Sequence, residues 1–216
     1  MRISDARYSR DLRRYQLAWG FIRHEVRTRT IERWTGLSMY RIRTLYDAYA
    51  AGASEGARSP LRGKAPYTVS FFWRSAHVKC EAAVLAGFLK TFEVCPAEPA
   101  ENALEHLPGL ARGERLLRVY EEFKAYLPST LITLEHAMLL LTELTRGVEI
   151  ELAACSSCYV LILVDRLAIG PRRCAYCAYE AQAGLPYAVL RTATADRSAA
   201  ADSGGNTMEG SQGTLF

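Results

Sequence analysis

Four cysteines constrain this chain more than any other feature: Cys155-Ser-Ser-Cys158, then 15 residues, then Cys174-Ala-Tyr-Cys177. Each C-x2-C pair offers two thiolates from one short knuckle, and a hairpin between the knuckles would bring all four to a point. The apolar, β-branched run at 159–164 predicts the first strand, Asp165-Arg166 a turn, and 167–169 the return. Four thiolates in a tetrahedron suit one Zn2+ with a closed coordination sphere, a structural site rather than a catalytic one. The candidate ligands are Cys155, Cys158, Cys174 and Cys177. A module this small has no core of its own, so metal binding, on the order of 10 kcal/mol, would supply its folding energy.

Two disulfides or four buried thiols are the competing readings, and the expected compartment disfavours the first. The chain begins Met1-Arg2-Ile3-Ser4-Asp5 with no apolar stretch behind it. The longest apolar run, 131–144, is interrupted by Glu135, His136 and Glu143 and falls short of the ~18–20 residues a membrane span needs. A cytoplasmic location is expected, and six cysteines in a reducing compartment point to metal or free thiols. Cys80 lies on an apolar helical stripe and is expected to be a small core residue, whereas Cys95 carries no assignment.

Charge is unevenly distributed along the chain. The overall +4 conceals residues 1–64 with 14 basic groups against 6 acidic, net +8, and 152 further residues with 13 against 17, net −4. Lys64 is the only lysine in the basic segment; the other cations are arginines, whose planar fork suits phosphate and guanine edges. A polyanionic partner is the expectation for this segment.

Within it, Leu12, Tyr15, Trp19, Ile22 and Val26 recur at steps of three and four, predicting a helix that buries this stripe. Thr30 is placed to cap a short second helix ending near Thr35, Gly36 permits a left-handed turn, and Ser38 is placed to cap a third helix to about Ala50. The pattern is that of a helix-turn-helix, with Ile31, Trp34, Ile42 and Leu45 inward. Tyr40, Arg41, Arg43 and Thr44 are then the candidate DNA-binding side chains, with Met39 beside them. A plain helical hairpin with a solvated arginine face is the alternative.

Three further stripes predict a middle bundle: Phe72, Ala76, Cys80, Ala83 and Gly87 on a helix over 69–92; Leu116, Tyr120, Phe123 and Leu127; and Leu131, Leu134, Met138, Leu141 and Thr145. A short helix is possible at 100–106 between proline-rich breaks. Phe71, Phe72 and Trp73 cannot all face one core, which leaves at least one for a subunit contact or for packing from a second side. The expected fold is mainly α, with a small zinc-ribbon-like module at its C-terminal end. Its organisation reads as a basic helix-turn-helix-like segment with loop at 1–64, a helical bundle for partner assembly at 65–152, the four-cysteine module at 153–187, and a disordered tail at 188–216.

No enzyme signature accompanies this pattern. Gly52-Ala-Ser54-Glu-Gly56 matches G-x-S-x-G formally, but a helix precedes it and a proline-rich loop follows, where a nucleophile elbow needs a strand and a helix. His24, His77, His106 and His136 have no metal-pair spacing.

Arg41-Ile-Arg-Thr-Leu-Tyr46, the loop Arg-Ser-Pro-Leu-Arg-Gly-Lys, Phe71-Phe-Trp73, His77, Cys80, Phe88-Leu-Lys90 and the cysteine quartet follow one another over about residues 10–180. In this order they resemble the flagellar transcriptional activator FlhC family. The resemblance implies a non-enzymatic bacterial regulator that assembles with FlhD, two FlhC chains with four FlhD. It also implies that the complex binds promoter DNA of flagellar operons and activates transcription, presenting a surface to RNA polymerase. It places zinc on Cys155, Cys158, Cys174 and Cys177. The chain departs from the family pattern in its Ser/Ala/Gly-rich tail and in lacking a Lys/Arg cluster after Cys177. The alternative is a stand-alone zinc-containing helix-turn-helix protein of a mobile element. A zinc hydrolase, a third class, would need an open ligand position.

Overall fold

The computed structural model describes residues 5–52, 61, 63–96 and 108–183. The segment 188–216, the short helix expected at 100–106 and most of the loop that follows Gly52 lie outside the described residues. Among those described, the protein is mainly helical: seven α-helices, one 3-10 helix and one two-stranded sheet. The chain divides into two units between residues 172 and 173.

In the first unit, α1 (Asp5–Arg23) runs into α2 (Thr28–Thr35) and α3 (Met39–Gly52). Gly36 ends α2 in the left-handed region (φ 68°, ψ 15°) and its N–H donates to Glu32 O at 2.8 Å, a geometry that costs a side chain-bearing residue free energy. Ile42 is fully buried and Leu45 packs against the core, as their spacing predicts.

The stripe expected on α1 is corrected. Leu17, Ala18, Phe21 and Ile22 form the buried face, whereas Leu12 and Trp19 are 45 % and 39 % exposed. The decisive contact is with α5 (Leu110–Tyr126), which approaches closely. A Cβ on Gly113 would stand 2.8 Å from Leu17 Cδ2 and 3.1 Å from Trp34 Cε3, so glycine there admits the two side chains.

The helix expected over 69–92 is two elements, a 3-10 helix (Val69–Trp73) and α4 (Ala76–Thr91). Ser75 breaks them: its backbone is extended and its hydroxyl accepts from Val78 N at 3.2 Å, capping α4. Val78, Ala82, Leu85, Ala86 and Leu89 of α4 are inward and Cys80 is exposed, which corrects its expected place in the core. Cys95 is buried instead, and burial pushes its thiol upward.

The α5 stripe Leu116, Tyr120 and Phe123 is buried as expected, and on α6 (Leu134–Arg146) so are Leu134, Met138, Leu141 and Thr145. Leu131, ahead of the α6 cap, is exposed. Phe72 is fully buried, while Phe71 stacks on His136 at 3.6 Å between ring centres and Trp73 lies 5.2 Å from Lys79 Nζ.

The sheet pairs β1 (Ile150–Ala154) with β2 (Leu161–Asp165), antiparallel, with Leu152 opposite Leu163. The hairpin therefore closes around the first cysteine knuckle and not between the two; residues 167–169 form no strand. In the second unit, α7 (Ala175–Ala183) begins immediately after Cys174.

Candidate nucleic-acid interface and metal centre

The basic segment contains two kinds of arginine. On α1, Arg13 Nε donates to Glu114 Oε1 at 2.8 Å and its Nη2 to Oε2 at 2.5 Å, a bidentate fork. Arg23 Nη2 donates to Glu121 Oε1 at 2.6 Å, and Arg14 sits 3.4 Å from Asp11. Carboxylates of α5 thus answer two of the α1 cations, so this part of the positive charge is locally neutralised.

On α2, α3 and the segment that follows, no such partners occur among the described residues. Arg29 and Arg33, one turn apart on α2, are exposed or nearly so, as are Arg41 and Arg43 on α3 and Lys64. Among the described residues none of these five has an acidic partner. Of the side chains read from the sequence, Tyr40 is 79 % exposed, and Arg41, Arg43 and Thr44 are at the surface beside it. Thr44 Oγ1 donates to Tyr40 O at 3.1 Å, a bond within its own helix.

Arg43 also lines a groove of about 840 Å³ together with Arg27, Arg29, Arg33, Met39 and Lys64. Arg29, Arg33 and Lys64 are not among the sequence candidates. Their available signal is the i, i+4 spacing of Arg29 and Arg33, which puts both on one helix face.

Glu135 of α6 fixes the orientation of α2. Its carboxylate, 5 % exposed, accepts from Arg27 N at 3.1 Å and Thr30 Oγ1 at 2.9 Å and pairs with Arg27 Nη1. Thr30 therefore donates to a distant carboxylate and does not cap its own helix, correcting the expected role; the residue before α2 is Arg27, which makes no side-chain cap. A carboxylate at this end also opposes the positive end of the α2 dipole. The Tyr46 hydroxyl donates to Val26 O, and burial, with Glu135 and Glu25 nearby, pushes it up to about 12, so it remains a donor.

Cys155, Cys158, Cys174 and Cys177 are brought together: their four sulfur atoms lie within 4.8 Å of one another and can hold one metal ion. Locally, Cys155 N donates to Val160 O at 2.9 Å and Tyr159 N to Cys155 O at 3.0 Å, with Tyr159 at φ 64°. These bonds fold the first knuckle back on itself. Ser156 N reaches Arg172 O at 2.8 Å, and Arg172 Nη2 reaches Glu151 Oε1 at 2.6 Å, returning the chain toward that knuckle. At the second knuckle Cys177 N donates to Cys174 Sγ at 3.3 Å, which turns that knuckle back on its own sulfur.

The histidines have other roles. His24 contacts Tyr120 edge-on at 5.2 Å and lies 3.2 Å from Glu121 Oε1. His77 Nε2 lies 3.1 Å from Glu81 Oε1. His136 shares the capping box of α6 with Thr133, and burial with Arg74 and Arg27 nearby holds it down to about 4, neutral at pH 7. His106 and the Ser54 motif fall outside the described residues. No helix among the described residues is long and apolar enough to cross a membrane. No protein-family model matches the chain, and no curated protein matches it significantly.

Proposed function

We propose that this protein is a DNA-binding transcriptional regulator, with α2 and α3 acting as a helix-turn-helix. The observation that carries the reading is the set of surface arginines on these two helices, which lack acidic partners among the described residues while Arg13 and Arg23 of α1 are answered by α5. Arginine without a carboxylate is available to phosphate and to base edges. Tyr40, Arg41, Arg43 and Thr44 form the face offered to the groove of DNA, and Ile42 and Leu45 anchor it from behind.

The metal of this reading is zinc, held by Cys155, Cys158, Cys174 and Cys177. With Zn–S bonds of about 2.3 Å a tetrahedral site has sulfur–sulfur edges of about 3.8 Å, compatible with sulfurs already gathered within 4.8 Å. Four thiolates fill the sphere, so zinc would act as a structural staple, and the protein is read as a non-enzymatic one. The resemblance to FlhC extends the proposal to a subunit that assembles with FlhD and activates flagellar operons in the cytoplasm. A stand-alone DNA-binding protein is the second reading, favoured by the missing Lys/Arg cluster after Cys177.

A mobility-shift titration of promoter duplex with the full chain, alone and with a short helical FlhD-like partner, tests this. A partner-dependent shift is expected; a shift of equal strength without the partner favours the stand-alone protein, and no shift in either case overturns the DNA reading. Metal analysis should find one zinc per chain, lost in Cys155→Ser. Metal-free folded protein would remove zinc from the account.

A further inference from the structure

Resting on the DNA reading, we infer that the groove lined by α2, the start of α3 and residues 61 and 63–65 is a seat for the phosphodiester backbone, beside the α3 side chains that meet the bases. Arg29 and Arg33 of α2, Met39 and Arg43 of α3, and Lys64 all line it. Four residues of helix advance about 6 Å, so the two α2 guanidinium groups are spaced for successive phosphates and not for one small anion. The groove is open, and its free cations are surface side chains, which suits a long polyanion and not a buried ligand.

The remaining arginine of the lining has a different task. Arg27 is paired with Glu135, which ties the α2 end of the groove to α6. Arg27 is thus a positioning residue, and the phosphates are met by Arg29, Arg33, Arg43 and Lys64. Tyr40, Arg41 and Thr44 are not among the groove residues and remain free to face base edges. Phosphate contacts set register and carry most of the salt dependence, while base contacts carry sequence preference.

The test measures binding of a mixed-sequence duplex by the full chain, with the short helical FlhD-like partner present, at several salt concentrations, for the parent, Arg29→Ala/Arg33→Ala, Lys64→Ala and Arg13→Ala. Removing one cation that neutralises a phosphate lowers the log–log salt slope by about 0.9, so the double variant should lose about 1.8, Lys64→Ala about 0.9, and Arg13→Ala nothing. Arg29→Lys/Arg33→Lys keeps the charges and should keep the slope, which guards against misfolding as the cause. A double alanine variant with the parent slope overturns the groove assignment and leaves the DNA reading intact. A second arm titrates inorganic tripolyphosphate. If the parent binds no duplex but binds tripolyphosphate, and the double variant does not, the DNA reading falls and the groove stands. If neither probe distinguishes parent from variant, the groove assignment falls too.

Discussion

The arginines of α1 and those of α2 and α3 belong to one basic stretch of sequence but meet different surroundings. Arg13 and Arg23 face Glu114 and Glu121 on α5, 101 and 98 residues away, and are consumed in holding two helices together. Arg29, Arg33, Arg41 and Arg43 face solvent and form no ion pair among the described residues. A net charge of +8 over 64 residues therefore overstates the field around Arg13 and Arg23, whereas the four arginines of α2 and α3 keep their charges free of ion pairs among the described residues. What distinguishes a structural cation from one available to a partner is the presence of a neighbouring carboxylate, and that is a property of tertiary structure.

Arg27 stands between the two groups, and Glu135→Ala should give the largest effect. Removing the carboxylate leaves a guanidinium that is 21 % exposed without its partner and frees the end of α2. Unfolding in urea should show a loss of about 3–5 kcal/mol, the usual cost of breaking a buried pair from one side. Glu135→Gln keeps an acceptor for Arg27 N and Thr30 and should lose less. Equal stability of Glu135→Ala and parent would remove the anchor from the account.

A smaller effect concerns pH. His136 is neutral when folded, near 4 against an ordinary value of 6.5, because burial and the cations Arg74 and Arg27 disfavour its protonation. Between those values the unfolded chain binds more protons, so stability should fall as pH drops from about 6.5 toward 4 and be unaffected by this group above that window. His24, also lowered by burial, acts in the same direction. His136→Gln preserves a capping box with Thr133 and should flatten this limb in pH-dependent thermal melts. An unchanged limb would show that His136 titrates normally.

The smallest effect is expected at the paired cations. Arg13→Ala and Arg23→Ala should weaken the seam between α1 and α5 slightly, seen as a small fall in melting temperature, while duplex binding at fixed salt stays at the parent level. A marked loss of binding would place α1 at the interface and dissolve the distinction between the two regions.

Much of this is legible in the sequence, for identifiable reasons. Gly36, Ile42 and Leu45 carry local signals, a left-handed turn and a short helical period, and each takes its expected place. The cysteine spacing likewise announces the four-sulfur cluster. Spacing alone misplaces the face of α1 because apolar residues occur around the helix, and only the approach of α5 at Gly113 selects Leu17, Ala18, Phe21 and Ile22. The hairpin differs from expectation for a similar reason: the run at 161–165 can pair with a segment on either side, and Ile150–Ala154 wins. Which arginines are answered by carboxylates depends on contacts about a hundred residues apart, beyond the reach of any local pattern.

The central claim is best tested by comparing the salt dependence of duplex binding for Arg41→Ala/Arg43→Ala with that for Arg13→Ala/Arg23→Ala, in otherwise identical full-length protein with the FlhD-like partner present. The account predicts a log–log slope shallower by at least about 0.9 for the first pair, because Arg43 meets phosphate, and the parent slope for the second. Equal losses from both pairs, or a loss confined to Arg13 and Arg23, would contradict it.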